Sequence, residues 1–343
     1  MVPALAVAAE LRADGARVVF VGGQRAEREL VPRAGFELRQ IEVEGLSRTN
    51  PLKAGRALLK AVGAVRAAGR LLDELRPAAV MGGGGYVAGP VGVAAARRRI
   101  PLVLTEADSH LGLSNRLLAR RASRVCLAFA LDGRSGGRYL VTGRPVPPPA
   151  ADAVAARQRF GFAPSDTVLV VFGGSLGARS INESAVEAFG DAAAGLRVLH
   201  AAGQRDLAAL RQRPLGDHYD LRGYVDDFAQ ALAAADLVVA RSGGSIFEVA
   251  AAGRPAILVP YPHAAGDHQA GNARWMAAGG AAVVVPDAEL TAERLSSEVA
   301  ALLGDRERLA AMAAASKELA RPGAARAIAD EIVAAGAARS AAT

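Results

Sequence analysis

A short glycine-rich segment in the middle of the chain follows an apolar run and opens a helical stretch. The run at residues 167–172 has the β-branched composition of a buried strand, and residues 173–178 read Gly-Gly-Ser-Leu-Gly-Ala. A strand, a glycine turn and a helix start in this order present backbone N–H groups to an anion. Ser175 adds a hydroxyl donor. The segment predicts a phosphate or pyrophosphate site, with a purely structural tight turn as the alternative.

The same alternation of short β-branched runs and Ala-rich helical stretches continues from end to end. It is typical of an α/β fold with parallel sheets. Aromatic residues make up only 4% of the chain, so Ala, Val and Leu must build the core. The predicted strands form two series, at residues 17–21, 36–42, 78–81, 102–105 and 124–127, and at residues 167–172, 197–201, 237–240, 256–259 and 282–285.

A proline-rich segment at residues 143–149 separates the two series, because proline continues neither a helix nor a central strand. We expect an N-terminal domain at residues 1–146, a C-terminal domain at residues 147–335 and a tail at residues 336–343 that is frayed at its end. Two Rossmann-like domains with parallel sheets facing a central cleft form the GT-B arrangement, and ligands of such folds bind at the carboxyl ends of the strands.

Composition narrows the class of protein. A length of 343 residues suggests two domains. No apolar run reaches the roughly 18 residues that span a bilayer, and no signal peptide is evident. The single cysteine, Cys126, excludes an intrachain disulfide and belongs to no metal-site spacing. These features favour a cytosolic enzyme.

The excess of positive over negative charge lies entirely in the first part of the chain. Residues 1–150 carry 23 Lys and Arg against 12 Asp and Glu, whereas the remaining residues have a balance of −4. Nucleic acid, an anionic lipid surface or a phosphorylated substrate can explain this excess. A GC-rich genome, which raises the Arg content of its proteins, is an equally simple explanation.

Two further segments of the second series carry groups suited to a nucleotide sugar. Residues 241–248 (Arg-Ser-Gly-Gly-Ser-Ile-Phe-Glu) follow a strand and open a helix, so that Glu248 can accept hydrogen bonds from ribose hydroxyls or be a solvated residue near a helix N-terminus. At residues 267–273, Gln269 and Asn272 share a helix face, and amides suit sugar hydroxyls. His263 and His268 lack the neighbours of a metal site.

Taken together, these motifs resemble the MurG family, the N-acetylglucosaminyltransferases of peptidoglycan synthesis, from residue 2 to about residue 334. The resemblance implies a GT-B fold and inverting transfer of N-acetylglucosamine from UDP-N-acetylglucosamine to the 4-hydroxyl of the muramyl sugar of lipid I, which forms lipid II, without metal or cofactor. It also implies peripheral attachment to the cytoplasmic side of the cell membrane. The matching stretches are residues 3–8, 84–90, 112–115, 173–179, 241–248 and 267–273.

The resemblance also implies roles for individual positions in donor binding. Ser175 matches the residue that contacts the diphosphate, and the backbone of Val225 matches the place that reads the uracil. Glu248 matches the ribose-binding carboxylate, and His268 with Gln269 matches the pair that touches the sugar. The full set of expected donor-binding residues is Asp108, Arg144, Gly174, Ser175, Val225, Gly244, Ser245, Glu248, His268 and Gln269.

On the acceptor side, Gly84, Gly85 and Tyr86 resemble the loop that binds the acceptor diphosphate. Asn115 and Glu106 lie in the segment that faces the acceptor and the sugar.

Several positions depart from the family pattern. Asp108 stands where an asparagine usually contacts the donor, and its charge would repel the diphosphate. Pro147 replaces a donor-binding arginine, for which Arg144 is the candidate substitute. The loop at residues 241–248 is one residue shorter than the family norm.

The largest departure is at the start of the chain. Family members begin with a strand and a Gly-Gly-Thr-Gly-Gly-His loop, which binds acceptor phosphate and offers a histidine as candidate general base. This chain has neither, so the first sheet is expected to lack its central strand, and we hypothesise that its start was assigned too late. The candidates that remain for the base are Glu106, Asp108 and His110.

Residues 51–72 offer a membrane-binding helix. Lys53, Arg56 and Lys60 recur at helical spacing among apolar residues, as in helices that lie on anionic leaflets. The alternative is an ordinary surface helix that packs on its own domain.

The expected partners are UDP-N-acetylglucosamine, lipid I and an anionic membrane surface, and nucleic acid is not expected. Two alternative functions stay open at this point. One is another GT-B activity, such as a diacylglycerol glucosyltransferase or a UDP-N-acetylglucosamine 2-epimerase. The other is a catalytically incompetent protein that binds a UDP-sugar or a lipid, because the first glycine loop is missing.

Overall fold

The proline-rich segment lies where the chain passes from one packed unit to the other. In the computed structural model the first unit comprises Met1–Val146 and Arg321–Thr343, and the second comprises Pro147–Ala320. The structure describes residues 1–24, 27–41, 51–174, 176–191 and 195–341, without the side chains of residues 51–61, Tyr86 and Ala265.

The first unit alternates helices and short strands, as the sequence pattern predicts. All its strand pairs within the described residues are parallel. In chain order, its elements are α1 (Val2–Ala13), β1 (Val19–Gly22), α2 (Glu27–Arg33), β2 (Glu37–Gln40), α3 (Pro51–Leu75), β3 (Val80–Gly82), α4 (Gly85–Arg97), β4 (Leu102–Glu106), α5 (Leu113–Leu118), β5 (Arg124–Leu127) and β6 (Tyr139–Val141).

The strands of this unit form two sheets. One pairs β1 with β2, the other has the order β3-β4-β5-β6, and no described residues pair β1 with β3. Val21 of β1 and Val80 of β3 nevertheless pack against the same cluster of buried residues from α3 and α4. The two sheets are therefore separated between β1 and β3. The sequence predicts that a central strand is missing from the sheet of this unit.

The second unit contains one continuous sheet with helices around it. Its six strands are all parallel, in the order β12-β11-β10-β7-β8-β9. In chain order, its elements are α6 (Ala153–Arg159), β7 (Thr167–Phe172), α7 (Arg179–Phe189), β8 (Leu196–Ala201), α8 (Gln204–Leu210), β9 (Tyr219–Arg222), α9 (Phe228–Ala234), β10 (Leu237–Ala240), α10 (Ile246–Ala251), β11 (Ala256–Leu258), α11 (His268–Ala278), β12 (Ala282–Val284), α12 (Ala292–Gly304) and α13 (Arg306–Leu319).

The core of the second unit lies on both faces of this sheet, because its central strands carry buried side chains on both faces. Five of the six residues of β7 are buried, and so are all four of β10. Three helices begin with side-chain caps that satisfy otherwise unpaired N–H groups. Asp152 accepts from two N–H groups at the start of α6, Thr291 caps α12 and Asp305 caps α13.

The last helix, α14 (Ala324–Ser340), returns to the first unit. Ile328 and Ile332 share a buried cluster with Val7 and Leu11 of α1 and with the inner strands β4 and β5. The sequence predicts a second domain that extends to residue 335, but residues 321–335 pack in the first unit. The expected tail at residues 336–343 is helical as far as Ser340, and Arg339 donates a hydrogen bond of 3.1 Å to the Pro77 carbonyl.

Replacing Ile328 by Ala should destabilise the first unit, although the residue is far from that unit in sequence. Ile328 is 1% exposed, and deleting such a buried side chain costs about 2–5 kcal/mol. The measurement is urea unfolding followed by far-UV circular dichroism. Trp275, the only tryptophan, reports the second unit by its fluorescence, and its transition should not move.

The matched control is Val333→Ala in the same helix, because Val333 is exposed and its loss should change the free energy of unfolding by less than about 0.5 kcal/mol. An unchanged circular dichroism transition in the Ile328 variant would contradict the assignment of α14 to the first core.

Candidate functional site

The strand order of the second sheet reverses between β7 and β10. From β7 the chain builds β8 and β9 on one side, and it then returns to place β10, β11 and β12 on the other. In open parallel sheets, ligands bind outside the carboxyl ends of the strands at such a switch point. The loops that follow β7 and β10 are the glycine segments at residues 173–178 and 241–245 that the sequence singles out.

Close packing fixes the described residues of the loop at residues 173–178. A side chain on Gly173 would collide with the backbone of Ala178, and Gly174 has a φ of +90° that favours glycine. The Gly177 N–H donates to the Gly174 carbonyl at 2.9 Å. No side chain caps the start of α7, so its first N–H groups are presented at the loop. Ser175, expected to contact the diphosphate, lies outside the described residues.

The side chain of Arg241 supports the second glycine loop, residues 241–245, by hydrogen bonds. Its guanidinium is buried and donates to Asp287 Oδ1 at 2.6 Å, to Ser180 Oγ at 2.8 Å and to two carbonyls at the end of β11. These bonds join the carboxyl ends of β10 and β11 to the first turn of α7. The charge of Arg241 is thus compensated inside the protein, and the residue supports the loop.

The segment at residues 260–273 is bonded to the same loop. Ser242 Oγ donates to the Gln269 carbonyl at 2.8 Å, and Asn272 Nδ2 donates to the Ser242 carbonyl at 2.9 Å. Gln269 Oε1 accepts from the Tyr261 N–H at 3.0 Å, which leaves its amide nitrogen beside Gly243. Asn272, expected to share sugar binding with Gln269 from the helix spacing, is buried and supports the backbone.

The remaining expected donor groups of this unit occupy neighbouring elements. Gly244 and Ser245 precede α10, Glu248 lies in its first turn, and His268 is the first residue of α11. Val225 is buried next to an open pocket of about 730 Å³ at the end of β9. The pocket is lined by Gln204, Leu207, Arg211, Arg222, Gly223, Tyr224 and Asp226.

The expected acceptor residues come together in the first unit, around the start of α4. Gly84 and Gly85 have φ angles of +78° and +79°, and Ser114 Oγ donates to the Gly85 carbonyl at 2.9 Å. Asn115 is 1% exposed and donates to the Thr105 carbonyl at 2.9 Å. The side chain of Tyr86 is outside the described part of the chain.

Glu106 is an organising carboxylate. Its Oε1 accepts from the N–H groups of Ala107 and Asp108, and its Oε2 accepts from the Gly112 N–H at 2.7 Å and from Asn115 at 3.0 Å. Both oxygens are therefore occupied, and the side chain is only 8% exposed. This geometry argues against Glu106 as the general base among the three candidates.

The other candidate residues of the first unit are more accessible. Asp108 is half-buried and His110 is exposed on the loop after β4. Arg144 lies close enough to the amino group of Met1 to act on its pKa, which burial lowers most and the arginine charge lowers further. Asp108 and Arg144 thus belong to the first unit, whereas the other expected donor residues belong to the second.

The described part of the chain offers neither a membrane span nor a metal cluster. No helix there combines the length and apolarity that crossing a membrane requires. No group of three or more His, Cys, Asp or Glu side chains among the described residues has the arrangement of a metal site.

The sequence pattern does not predict a cluster of buried polar groups that lies behind the first glycine loop. We call it the His200 cluster, and it is formed by Tyr219, His200, Asn182, Asp206 and the Ala202 carbonyl. His200 Nδ1 lies 2.8 Å from Tyr219 Oη, and Nε2 lies 3.1 Å from Asn182 Oδ1. Asn182 Nδ2 donates to the Ala202 carbonyl at 2.9 Å and to Asp206 at 3.0 Å. The available signal was a histidine directly after the apolar residues Val198 and Leu199 of β8.

Comparison with known proteins identifies relatives over almost the whole length. Residues 1–127 match the glycosyltransferase family 28 N-terminal domain, and residues 168–328 match the family's C-terminal domain. The UDP-N-acetylglucosamine--N-acetylmuramyl-(pentapeptide) pyrophosphoryl-undecaprenol N-acetylglucosamine transferase of Moorella thermoacetica is 43% identical, covering 95% of this chain and 93% of the relative. The protein of the same name from Pseudomonas putida is 39% identical, covering 96% and 92%.

A solved structure agrees with these sequence matches. The crystal structure of Acinetobacter baumannii MurG has a TM-score of 0.77 and 30% identity, covering 96% of this chain and 95% of that one. The two-domain α/β fold with parallel sheets, expected as GT-B, is confirmed by this likeness and by the two units.

The His200 cluster makes the stability of the second unit depend on pH. Burial lowers the pKa of the His200 imidazole to about 4, from 6.5. Below pH 6.5 the unfolded chain therefore takes up a proton that the folded chain does not, and stability is lost as the pH falls toward 4. Between pH 7 and pH 5 this group alone should remove about 2 kcal/mol from the free energy of unfolding.

Urea unfolding monitored by Trp275 fluorescence at both pH values measures this loss. The variant His200→Gln, which does not titrate in this range, should lose about 2 kcal/mol less than the unmodified protein. Equal losses in the two proteins would contradict the prediction.

Proposed function

The chain belongs to the MurG family within glycosyltransferase family 28, and from this premise we propose that the switch point of its second sheet binds the sugar donor. The protein is a glycosyltransferase that transfers N-acetylglucosamine from UDP-N-acetylglucosamine to lipid I in peptidoglycan synthesis. This reaction requires groups that hold the diphosphate, nucleoside and sugar of the donor, and groups that hold the diphosphate of the acceptor.

One observation carries the proposal, namely that two glycine loops flank the switch point of the second sheet. The loops follow the adjacent strands β7 and β10, and hydrogen bonds from Ser242 and Asn272 attach residues 260–273 to the second of them. The start of α7 supplies N–H groups and the positive end of a helix dipole, worth roughly half an elementary charge. A diphosphate between the two loops would be stabilised by both.

The transfer needs a displacement at the anomeric carbon of the donor sugar. The acceptor hydroxyl oxygen forms a bond to that carbon, the bond from carbon to the diphosphate oxygen breaks, and UDP leaves with the electron pair. Attack from the opposite side inverts the configuration. In this proposal, the N–H groups at the start of α7, which no side chain caps, stabilise the negative charge that develops on the leaving oxygen.

The hydroxyl proton must pass to a base. Of the three candidates, Glu106 has both oxygens occupied by hydrogen bonds, which leaves Asp108 and His110. Both lie in the loop after β4, whose backbone the Glu106 carboxylate organises. We assign Glu106 to positioning this loop.

The nucleoside and sugar have natural partners around the two loops. Glu248 in the first turn of α10 is placed to accept hydrogen bonds from the ribose, and the backbone at Val225 beside the open pocket suits the uracil. The amide nitrogen of Gln269, beside Gly243, is the donor for a sugar hydroxyl, with His268 next to it.

On the acceptor side, the loop at Gly84 and Gly85 is the place for the lipid I diphosphate.

Contact with a membrane surface fits an exposed apolar and basic face of the first unit. Leu117 is 66% exposed and Leu113 is 47% exposed, one helical turn apart on α5. The exposed residues Arg116 and Arg120 lie beside them. The expected basic residues of α3, Lys53, Arg56 and Lys60, fall outside the described side chains. We propose peripheral binding to an anionic leaflet through α5.

Removing the Glu248 carboxylate should abolish discrimination between ribose and deoxyribose. A hydrogen bond to a charged group contributes about 1.5–3 kcal/mol, so the unmodified protein should bind UDP at least ten-fold more tightly than 2′-deoxy-UDP. In Glu248→Ala the two ligands should bind equally, both weakly. Isothermal titration calorimetry measures the four dissociation constants.

Glu307→Ala, which removes an exposed carboxylate at the start of α13, is the control and should retain the preference for UDP. A Glu248→Ala protein that still prefers UDP to the same degree would remove Glu248 from the ribose site. Failure of the unmodified protein to bind UDP would overturn the donor site itself.

Leu117→Glu should lower binding to phosphatidylglycerol vesicles by at least ten-fold. The change removes an apolar side chain worth about 1.5–3 kcal/mol on burial and adds a charge that the anionic surface repels. Co-sedimentation with vesicles gives the bound fraction. The matched control is Val154→Glu in the second unit, which alters a residue that is 50% exposed and should leave binding unchanged. Equal binding by the two variants would reject the α5 surface.

A further inference from the structure

The His200 cluster has a single arrangement of hydrogen bonds. The amide nitrogen of Asn182 donates to the Ala202 carbonyl and to Asp206, so Asn182 Oδ1 must be an acceptor. His200 therefore carries its proton on Nε2 and donates it to Asn182. Nδ1 is then the acceptor for the Tyr219 hydroxyl. The direction of every bond follows from one backbone carbonyl, and the imidazole is neutral.

The His200 cluster also contacts the glycine loop at residues 173–178, through the Ala202 carbonyl. Ala202 and Gly203 form the turn between β8 and α8, and Gly177 packs directly on this turn. A side chain at Gly177 would collide with the Ala202 carbonyl, and one at Gly203 would collide with the Gly177 backbone. Asn182, in the first turn of α7, connects the Ala202 carbonyl to the helix whose start the loop approaches.

Stability of the core alone does not require His200 and Asn182. His200 and Asn182 are both 0% exposed in an otherwise apolar core, where an apolar side chain of similar size would pack without the need for partners. The polar pair instead imposes one orientation on α7 relative to the turn at residues 202–203. The N–H groups at the start of α7 must be aimed to within a few tenths of an ångström to bind a diphosphate well.

We propose that His200 is a positioning residue for the donor diphosphate, acting through Asn182 on the glycine loop and the start of α7. His200 itself touches no substrate. Its hydrogen bond to Asn182 keeps the Ala202 carbonyl and α7 in register, and thereby holds the loop in the shape that receives the anion. The inference rests on the proposed donor site.

The test compares His200→Leu with His200→Gln in the full chain. The leucine variant leaves Asn182 Oδ1 without its donor, whereas the glutamine amide can replace both imidazole nitrogens. We expect His200→Leu to raise the KM for UDP-N-acetylglucosamine and the dissociation constant for UDP by about ten-fold, with the KM for lipid I unchanged. His200→Gln should restore both donor values to within about three-fold.

A matched control separates positioning from general stability. Ser316 is also 0% exposed, and its hydroxyl donates to the Arg254 carbonyl just before β11, at the amino end of the same sheet. Ser316→Ala should lower stability without changing either KM. A folded His200→Leu protein with donor KM and UDP affinity within two-fold of the unmodified protein overturns the proposal.

A measurement on the unmodified protein covers the case in which His200→Leu does not fold. The chain has only five histidines, and the His200 signal in a spectrum of ¹⁵N-histidine-labelled protein is identified by its loss in His200→Gln. Addition of UDP should shift the Nε2–H resonance of His200, because loop and cluster move together. An unshifted resonance at saturating UDP overturns the proposal. If UDP does not bind at all, the donor site fails, and the positioning role with it.

Discussion

The parallel direction of all six strands in the second sheet is the constraint on which the donor site depends. Parallel strands bring every carboxyl end to one edge, and the reversal of strand order beside β7 leaves two neighbouring loops without a crossing connection. β7 and β10 can occupy the centre of the sheet because their side chains are apolar on both faces. The loops that begin at residues 173 and 241 thus become neighbours.

Glycine loops need support from outside, since they lack side chains of their own and lose more conformational freedom on folding than any other segment. Two buried polar groups provide this support. Arg241 joins the loop after β10 to Ser180 and Asp287. His200 and Asn182 join the first turn of α7, which follows the loop after β7, to the turn at residue 202. In both cases the buried group makes several hydrogen bonds to its neighbours, which makes the shape of the loop specific.

Pattern and propensity were enough for ten strands and missed two others, each at the edge of a sheet. All ten strands expected from the sequence are present, with ends that differ by at most two residues. The sequence pattern does not predict β6 (Tyr139–Val141) or β9 (Tyr219–Arg222). Each is an edge strand that pairs with a single neighbour, so its short and partly polar sequence needs no apolar run. The packing of α14 in the first unit was equally invisible, because an amphipathic helix does not specify which core it covers.

The sequence by itself determined the chemistry that this protein has at its disposal. Glycine turns after β-branched runs, an amide pair and a carboxylate at a helix start indicated an α/β fold with sites for phosphate, ribose and sugar hydroxyls. The resemblance of these motifs to the MurG family then implied transfer from a UDP-sugar. Only the tertiary structure decided which polar groups serve the protein itself. The Glu106 carboxylate accepts hydrogen bonds from four donors of the protein. The Arg241 guanidinium donates to side chains that are 46 and 61 residues away in sequence. A hydrogen bond depends on distance and angle between atoms, and residue type at a given position fixes neither until the chain has folded.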